Sequence, residues 1–173
     1  MDVQFTTIDD VGDEKRVYAM TGDNKPVFKQ FNNVRVEEIT EDSIIFNLQD
    51  NDVSSYDDDM KAAAQENSKE WFGREVAERT ISKAYTSPVK NGLFETQILK
   101  TGEGVNRVRV FDHEKNQVEF QDLTEGTICN VVVQLKYVWF VKRNFGPEWF
   151  SVQLKTAKPP EKDPYEDYLF QDE

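Results

Sequence analysis

The stretch from Thr127 to Lys158, TICNVVVQLKYVWFVKRNFGPEWFSVQLKTAK, constrains this chain more than any other. Val131, Val133, Leu135, Tyr137, Trp139 and Val141 recur at every second residue, the period of a strand that buries one face. Between them, Gln134, Lys136, Val138, Phe140 and Lys142 make a mixed face of amide, ammonium and aromatic groups. Arg143-Asn144-Phe145-Gly146-Pro147 interrupts the alternation and reads as a hairpin loop. On the returning strand, Phe150, Val152 and Leu154 share one face, and Trp149, Ser151, Gln153 and Lys155 the other. Pairing the two strands predicts one apolar face and one exposed face carrying Lys136, Lys142, Lys155, Phe140 and Trp149. Cations interleaved with flat rings are what a single-stranded nucleic acid requires, ammonium groups for phosphate and rings for unstacked bases. The competing reading packs Phe140 and Trp149 under a helix or a second sheet. The lysines of that face argue against it, because a buried, unpaired ammonium is costly.

Upstream, the pattern is of short strands with one helical interruption. Residues 1–14 read as a flexible acidic arm, followed by a short edge strand over Lys15–Met20. Strands are expected over Pro26–Ile39, interrupted near Asn32-Asn33, and over Ser43–Leu48, where Ile44, Phe46 and Leu48 share a face. Asp57-Asp58-Asp59 then opens a helical insertion over 57–85, since an acidic triplet suits a helix N-terminus and Ala62-Ala63-Ala64 has high helix propensity. A break is expected at Asn67-Ser68, and Ser87-Pro88 ends the region. Further strands are predicted over Leu93–Lys100, Val105–Phe111 and Val118–Phe120. Arg107 and Arg109 share a face opposite Val108 and Val110, and Lys90 lies in a turn as a rim contact. About seven short strands with a helix between them predict an OB-like antiparallel β-barrel over residues 15–158, a sandwich with one packed helix being the rival.

Charge is unevenly spread. The net charge is −12, an argument against nucleic-acid binding taken alone. Residues 1–85 hold 10 basic and 19 acidic side chains, residues 86–158 hold 10 and 8, and residues 159–173 hold one and six. The part containing the hairpin is therefore mildly cationic between acidic flanks. Beyond Lys158 the Pro-rich, acidic tail 159–173 embeds Tyr165, Asp167, Tyr168, Leu169 and Phe170. A merely solvating tail has no use for two tyrosines, a leucine and a phenylalanine, so it reads as a docking segment able to occupy a cationic groove or bind partners.

Catalysis finds little support. His113 and Cys129 are the only histidine and cysteine, too few for a zinc site, and Cys129 begins an apolar strand rather than a reactive dyad. Gly102 and Gly104 lack the downstream Lys-Ser/Thr of a phosphate loop. No enzyme, cofactor or metal is expected. A single cysteine, an acidic start without a basic and apolar leader, and no long apolar run predict an intracellular protein, neither secreted nor membrane-bound.

The segment LKYVWFVKRNFGPEWFSVQLK resembles the closing hairpin of phage-type OB-fold single-stranded DNA-binding proteins, as found in large nucleocytoplasmic DNA viruses. The resemblance implies a sequence-nonspecific coat on single-stranded DNA during viral replication, recombination and repair, in the host cytoplasm or nucleus. Lys136, Phe140, Lys142, Trp149 and Lys155 would line the groove; Arg143, Arg107, Arg109 and Lys90 are further candidate phosphate contacts on their own charge and position. The tail would regulate access and recruit polymerase or helicase, and the protein would act as a homodimer. Phe170, followed here by Gln171-Asp172-Glu173, departs from a tail that ends in an aromatic. The alternative class is a non-enzymatic virion or interaction module using the aromatic hairpin as a protein interface.

Overall fold

The structure, a computed structural model, describes residues 2–158, 164–166 and 168–171. The chain begins with three short strands, β1 (Gln4–Phe5), β2 (Asp9–Val11) and β3 (Glu14–Met20), then β4 (Val27–Ile39) and β5 (Ser43–Asn47). A helical insertion follows as α1 (Ser54–Glu66), α2 (Ser68–Phe72) and α3 (Glu78–Ala84). The remaining strands are β6 (Val89–Lys90), β7 (Leu93–Ile98), β8 (Arg109–Phe111), β9 (Gln117–Val118), β10 (Ile128–Val141) and β11 (Asn144–Thr156).

Five of these strands close on themselves. β4 pairs with β5, β5 with β7, β7 with β11, β11 with β10, and β10 returns to β4. Every step round the ring is antiparallel except β7–β11, which is parallel. This is an OB-like barrel with a helical insertion, mostly rather than wholly antiparallel. Closure removes the sheet edges that would otherwise invite pairing with other chains.

Alternation explains most of the inner wall. In β5, Ile44 and Phe46 point inward and are fully buried, and Leu48 follows them. In β4, Val27 and Phe31 are buried, then the inward phase moves to Val34 and Val36. The shift occurs at Asn33, held at φ 56°, whose N–H donates to Asn130 Oδ1 at 3.0 Å. The predicted interruption near Asn32-Asn33 is thus a bulge within one strand.

The helices plug one side of the barrel. α1 and α2 are separated at Asn67, whose backbone and side-chain amides both donate to the Ala63 carbonyl. α2 stops at Gly73, at φ 77°, a conformation that carries no side-chain penalty only for glycine. Asp57, the first of the acidic triplet, accepts hydrogen bonds from the Tyr85 hydroxyl at 2.5 Å and from Ser87 Oγ at 2.9 Å. Among the described residues no helix is long and apolar enough to cross a membrane.

Several expectations change, the strands predicted over Val105–Phe111 and Val118–Phe120 shortening to β8 and β9 among them. The stretch read as a flexible arm supplies β1 and β2, both paired with β3, while β3 itself joins the barrel through β10. The predicted loop Arg143–Pro147 is mostly strand, because the turn is only Lys142-Arg143, with Lys142 at φ 55°.

Candidate nucleic-acid interface

Which side chains of the β10–β11 ribbon face water is decided by two bulges. Leu135 pairs with Trp149 and Tyr137 with Glu148, so Lys136 has no partner on β11. Val132 pairs with Gln153 and Val133 with Ser151, which leaves Val152 unopposed. Each extra residue moves the following side chains to the other face. Cys129, Val131, Val133 and Leu135 therefore point inward, but beyond Lys136 the buried positions are Val138 and Phe140.

This corrects the two rings expected on the surface. Phe140 is 9% exposed and Trp149 4%. Phe140 lies edge-on to Trp71 and Phe72 of α2, at 5.5 and 5.8 Å, and Trp149 to Tyr56 of α1 and Phe94 of β7, at 6.2 and 6.3 Å. The helical insertion covers both, so in this structure neither offers a face to a base.

The same bulges turn Tyr137 and Phe150 outward, beside outward rings of β3 and β4. Tyr18 of β3, Tyr137 of β10 and Phe150 of β11 form a half-buried row, with centroids 5.9 and 6.1 Å apart. Phe28 of β4, 51% exposed, pairs with Gln134, which in turn pairs with Phe150. Trp139 is half-buried on the same outer face and packs against the bare backbone of Gly146. A Cβ at Gly146 would lie 3.0 Å from the indole and 2.6 Å from the Thr86 carbonyl oxygen, so the site needs glycine for space.

Cations sit on these rings. The Arg16 guanidinium is 4.1 Å from the Tyr137 centroid, and Lys136 Nζ is 4.8 Å from that of Phe150. Towards the other end of the ribbon, Lys155 pairs with Asn130 and Phe111, and Arg109 is opposite Gln153. A groove of about 380 Å³ there is lined by Gln30, Lys115, Asn130, Gln153 and Lys155 among others. Of the expected cations, the outer face thus gathers Lys136, Lys155 and Arg109. Lys142 and Arg143 are exposed at the hairpin tip, Arg107 is exposed just before β8, and Lys90 lies on β6 at the rim of a separate groove.

That separate groove marks an acidic end. Glu148 lies there, its carboxyl pushed up to about 7 by burial and then by Glu14 and Glu95, against a hydrogen bond from Gln97 and the charge of Arg16. Burial and Glu148 also raise the Tyr137 phenol to about 12. Away from the face, burial holds the Cys129 thiol at about 12, leaving negligible thiolate at neutral pH.

Residues 32–172 match the model of a family of unknown function, DUF5871. The chain belongs to that family. No curated protein sequence matches it. Among solved structures, the chain is similar to the C-terminally truncated single-stranded DNA-binding protein of bacteriophage Enc34. The TM-score is 0.47 at 10% identity, over 92% of this chain and 98% of that one. The same phage protein in complex with single-stranded DNA gives 0.45 at 11% identity, over 91% and 97%. The DUF5871 span includes Lys136, Tyr137, Trp139, Glu148 and Phe150, whereas Arg16 and Tyr18 precede it.

Sequence reasoning missed Arg16, Tyr18, Phe28, Lys115 and Phe150 as surface groups. A signal existed for the first three: Arg16 and Tyr18 alternate with buried Val17 and Ala19, and Phe28 lies between Val27 and Lys29 on the outward phase of β4. In the tail, Tyr165, Tyr168 and Phe170 are 87%, 71% and 77% exposed, and the Tyr168 and Phe170 rings are 5.6 Å apart. Asp167 lies outside the described residues.

Proposed function

We propose that this protein binds single-stranded DNA without sequence preference along the outer face of the β10–β11 ribbon. The observation that carries the reading is the row Tyr18–Tyr137–Phe150 with Arg16 and Lys136 seated on its rings. A base stacking on either Tyr137 or Phe150 brings its phosphate within reach of a cation already there, and each stacked base contributes ~1–3 kcal/mol. Lys155, Arg109 and Lys115 extend the track towards β8, where Gln30, Asn130 and Gln153 offer amides to base edges. The reading extends to a role in viral DNA replication, recombination or repair within the host cell. Its tail, with exposed Tyr168 and Phe170, competes for the cationic track and recruits polymerase or helicase, and the protein acts as a homodimer.

Trp71 and Trp149 are buried, so Trp139 is the tryptophan that reports on the outer face. Titration with oligo-dT should quench its emission at low salt. The affinity should fall steeply with added salt, log K declining by ~0.7 per phosphate neutralised on a single strand. Duplex of equal length should bind weakly. Emission and affinity that ignore oligo-dT at low salt would sink the proposal.

A second reading draws on the acidic end, since Glu14, Glu95 and Glu148 oppose phosphate. It makes the outer rings a protein interface of a virion or interaction module. Salt separates the two, because aromatic protein contacts do not collapse between low and moderate salt.

A further inference from the structure

The acidic end of the outer face has a shape that the stacking row does not use. A groove of about 490 Å³ opens there between the β6–β7 hairpin and β11, a size within the roughly 300–1,000 Å³ of small-ligand sites. Its walls include Trp139, Pro147, Leu93 and Ile45, and Glu148, Glu95, Gln97 and Lys90 are among its polar groups. Trp139, Glu148 and Thr86 also line a neighbouring hollow of about 410 Å³ on the β3 side. A flat indole, an apolar wall and the half-buried carboxyl of Glu148, with the exposed Glu95 beside it, form a slot for a planar heterocycle with a hydrogen-bonding edge.

We infer that one unpaired nucleobase of the bound strand enters this groove beside Trp139, its Watson–Crick edge meeting the carboxyl of Glu148. The inference rests on the outer face being a nucleic-acid surface and adds a base-reading residue to it. A carboxylate only accepts hydrogen bonds, while a protonated carboxyl both donates and accepts. Adjacent donor and acceptor atoms lie on the Watson–Crick edge of every base, so the neutral acid forms two bonds with any of them. A paired base has that edge occupied, so duplex cannot use the slot and single strands are preferred.

Protonation of Glu148 is governed by what faces it. From β3 come Glu14 and Arg16, from β7 Glu95 and Gln97, and from β10 Tyr137, with Lys90 of β6 across the groove. Burial and the two glutamates hold its proton to about pH 7, so acidification from pH 8 to pH 6 fills the neutral form. Base binding should strengthen over that interval.

The test is oligo-dT affinity of the full chain at pH 8 and pH 6, at constant ionic strength, followed by Trp139 emission and by anisotropy of a labelled strand. An abasic strand of equal length serves as the phosphate-only control. The wild type should bind oligo-dT about fivefold or more tightly at pH 6 than at pH 8, the scale of one bidentate contact. The abasic strand should show no such gain. Glu148→Gln keeps one donor and one acceptor, so it should bind tightly at both pH values. Glu148→Ala should bind weakly at both. An equal pH response for the abasic strand, or Glu148→Ala binding as tightly as Glu148→Gln at pH 8, would mean that the carboxylate only repels phosphate and would overturn the slot. Both outcomes leave the outer face as a DNA surface. No binding of oligo-dT at either pH overturns the slot and that wider reading together.

Discussion

The two faces of the β10–β11 ribbon are both aromatic, yet they do different work. Inside, Phe140 and Phe145 stack at 6.0 Å and 17°, meet Trp71 and Phe72 edge-on, and lie under the helices. Outside, Tyr18, Tyr137 and Phe150 meet each other edge-on, and cations rather than helices cover Tyr137 and Phe150. Composition cannot tell these sets apart. What separates them is what lies over the ring pairs: helices where water is excluded, an ammonium or guanidinium where it is not. Rings of the first kind hold the barrel together, and rings of the second kind remain available.

The comparison is broken most forcefully from the inside. Trp149→Ala should cost ~3–5 kcal/mol of stability in chemical denaturation, the range for truncating a buried aromatic. Its effect on oligo-dT affinity, measured where the variant is still folded, should be small. Next, Phe150→Ala should lower oligo-dT affinity by ~1–3 kcal/mol, with a stability loss well below that of Trp149→Ala. If Phe150→Ala unfolds the protein as readily as Trp149→Ala, the division between the faces fails. Lys155→Ala should leave stability unchanged and reduce the salt slope of binding by ~0.7, with a uniform loss across sequences.

The smallest effect is on pH. Glu148 holds its proton to about pH 7 in the folded protein, against 4.5 as the ordinary value. The folded state therefore binds more protons than the unfolded chain between those limits, and stability declines as pH rises from 4.5 to about 7, then levels. Solvent access to this half-buried group keeps the change modest. Glu148→Gln should flatten that decline in melting temperature between pH 5 and pH 8.

Much of the barrel was legible in the sequence, for a physical reason. Ile44, Phe46 and Leu48 recur at every second residue between the less buried Ile45, Asn47 and Gln49, so one face of β5 faces the core. The break at Asn67 was legible too, because asparagine competes for helix carbonyls, and here it takes that of Ala63. The phase of the ribbon was not. From Tyr137 to Val141 every residue is apolar or aromatic, so either face satisfies a hydrophobic pattern and nothing local pins the register. Lys136 and Val152 are bulged only because of what they pair with across the ribbon, which one strand's sequence does not contain. For the cations the outcome was different. Lys136, Lys155 and Arg109 stayed outside whichever way the rings turned, since an ammonium or guanidinium finds no partner in the core. β1 and β2 are two and three residues long, too short for any periodicity to register.

Asp57 has one more consequence. By accepting both the Tyr85 and the Ser87 hydroxyls it buckles the entrance of the helical insertion to its exit. The residues in between form a closed loop whose Trp71 and Phe72 pack on the rings of the barrel. The entropy of closing such a loop grows only slowly with its length. The plug can therefore be lengthened, shortened or re-patterned at its exposed positions, away from Met60, Trp71, Phe72 and Ile81, while the strands beneath keep their spacing, giving the molecule one rigid surface for recognition and one whose outer side is free to diversify.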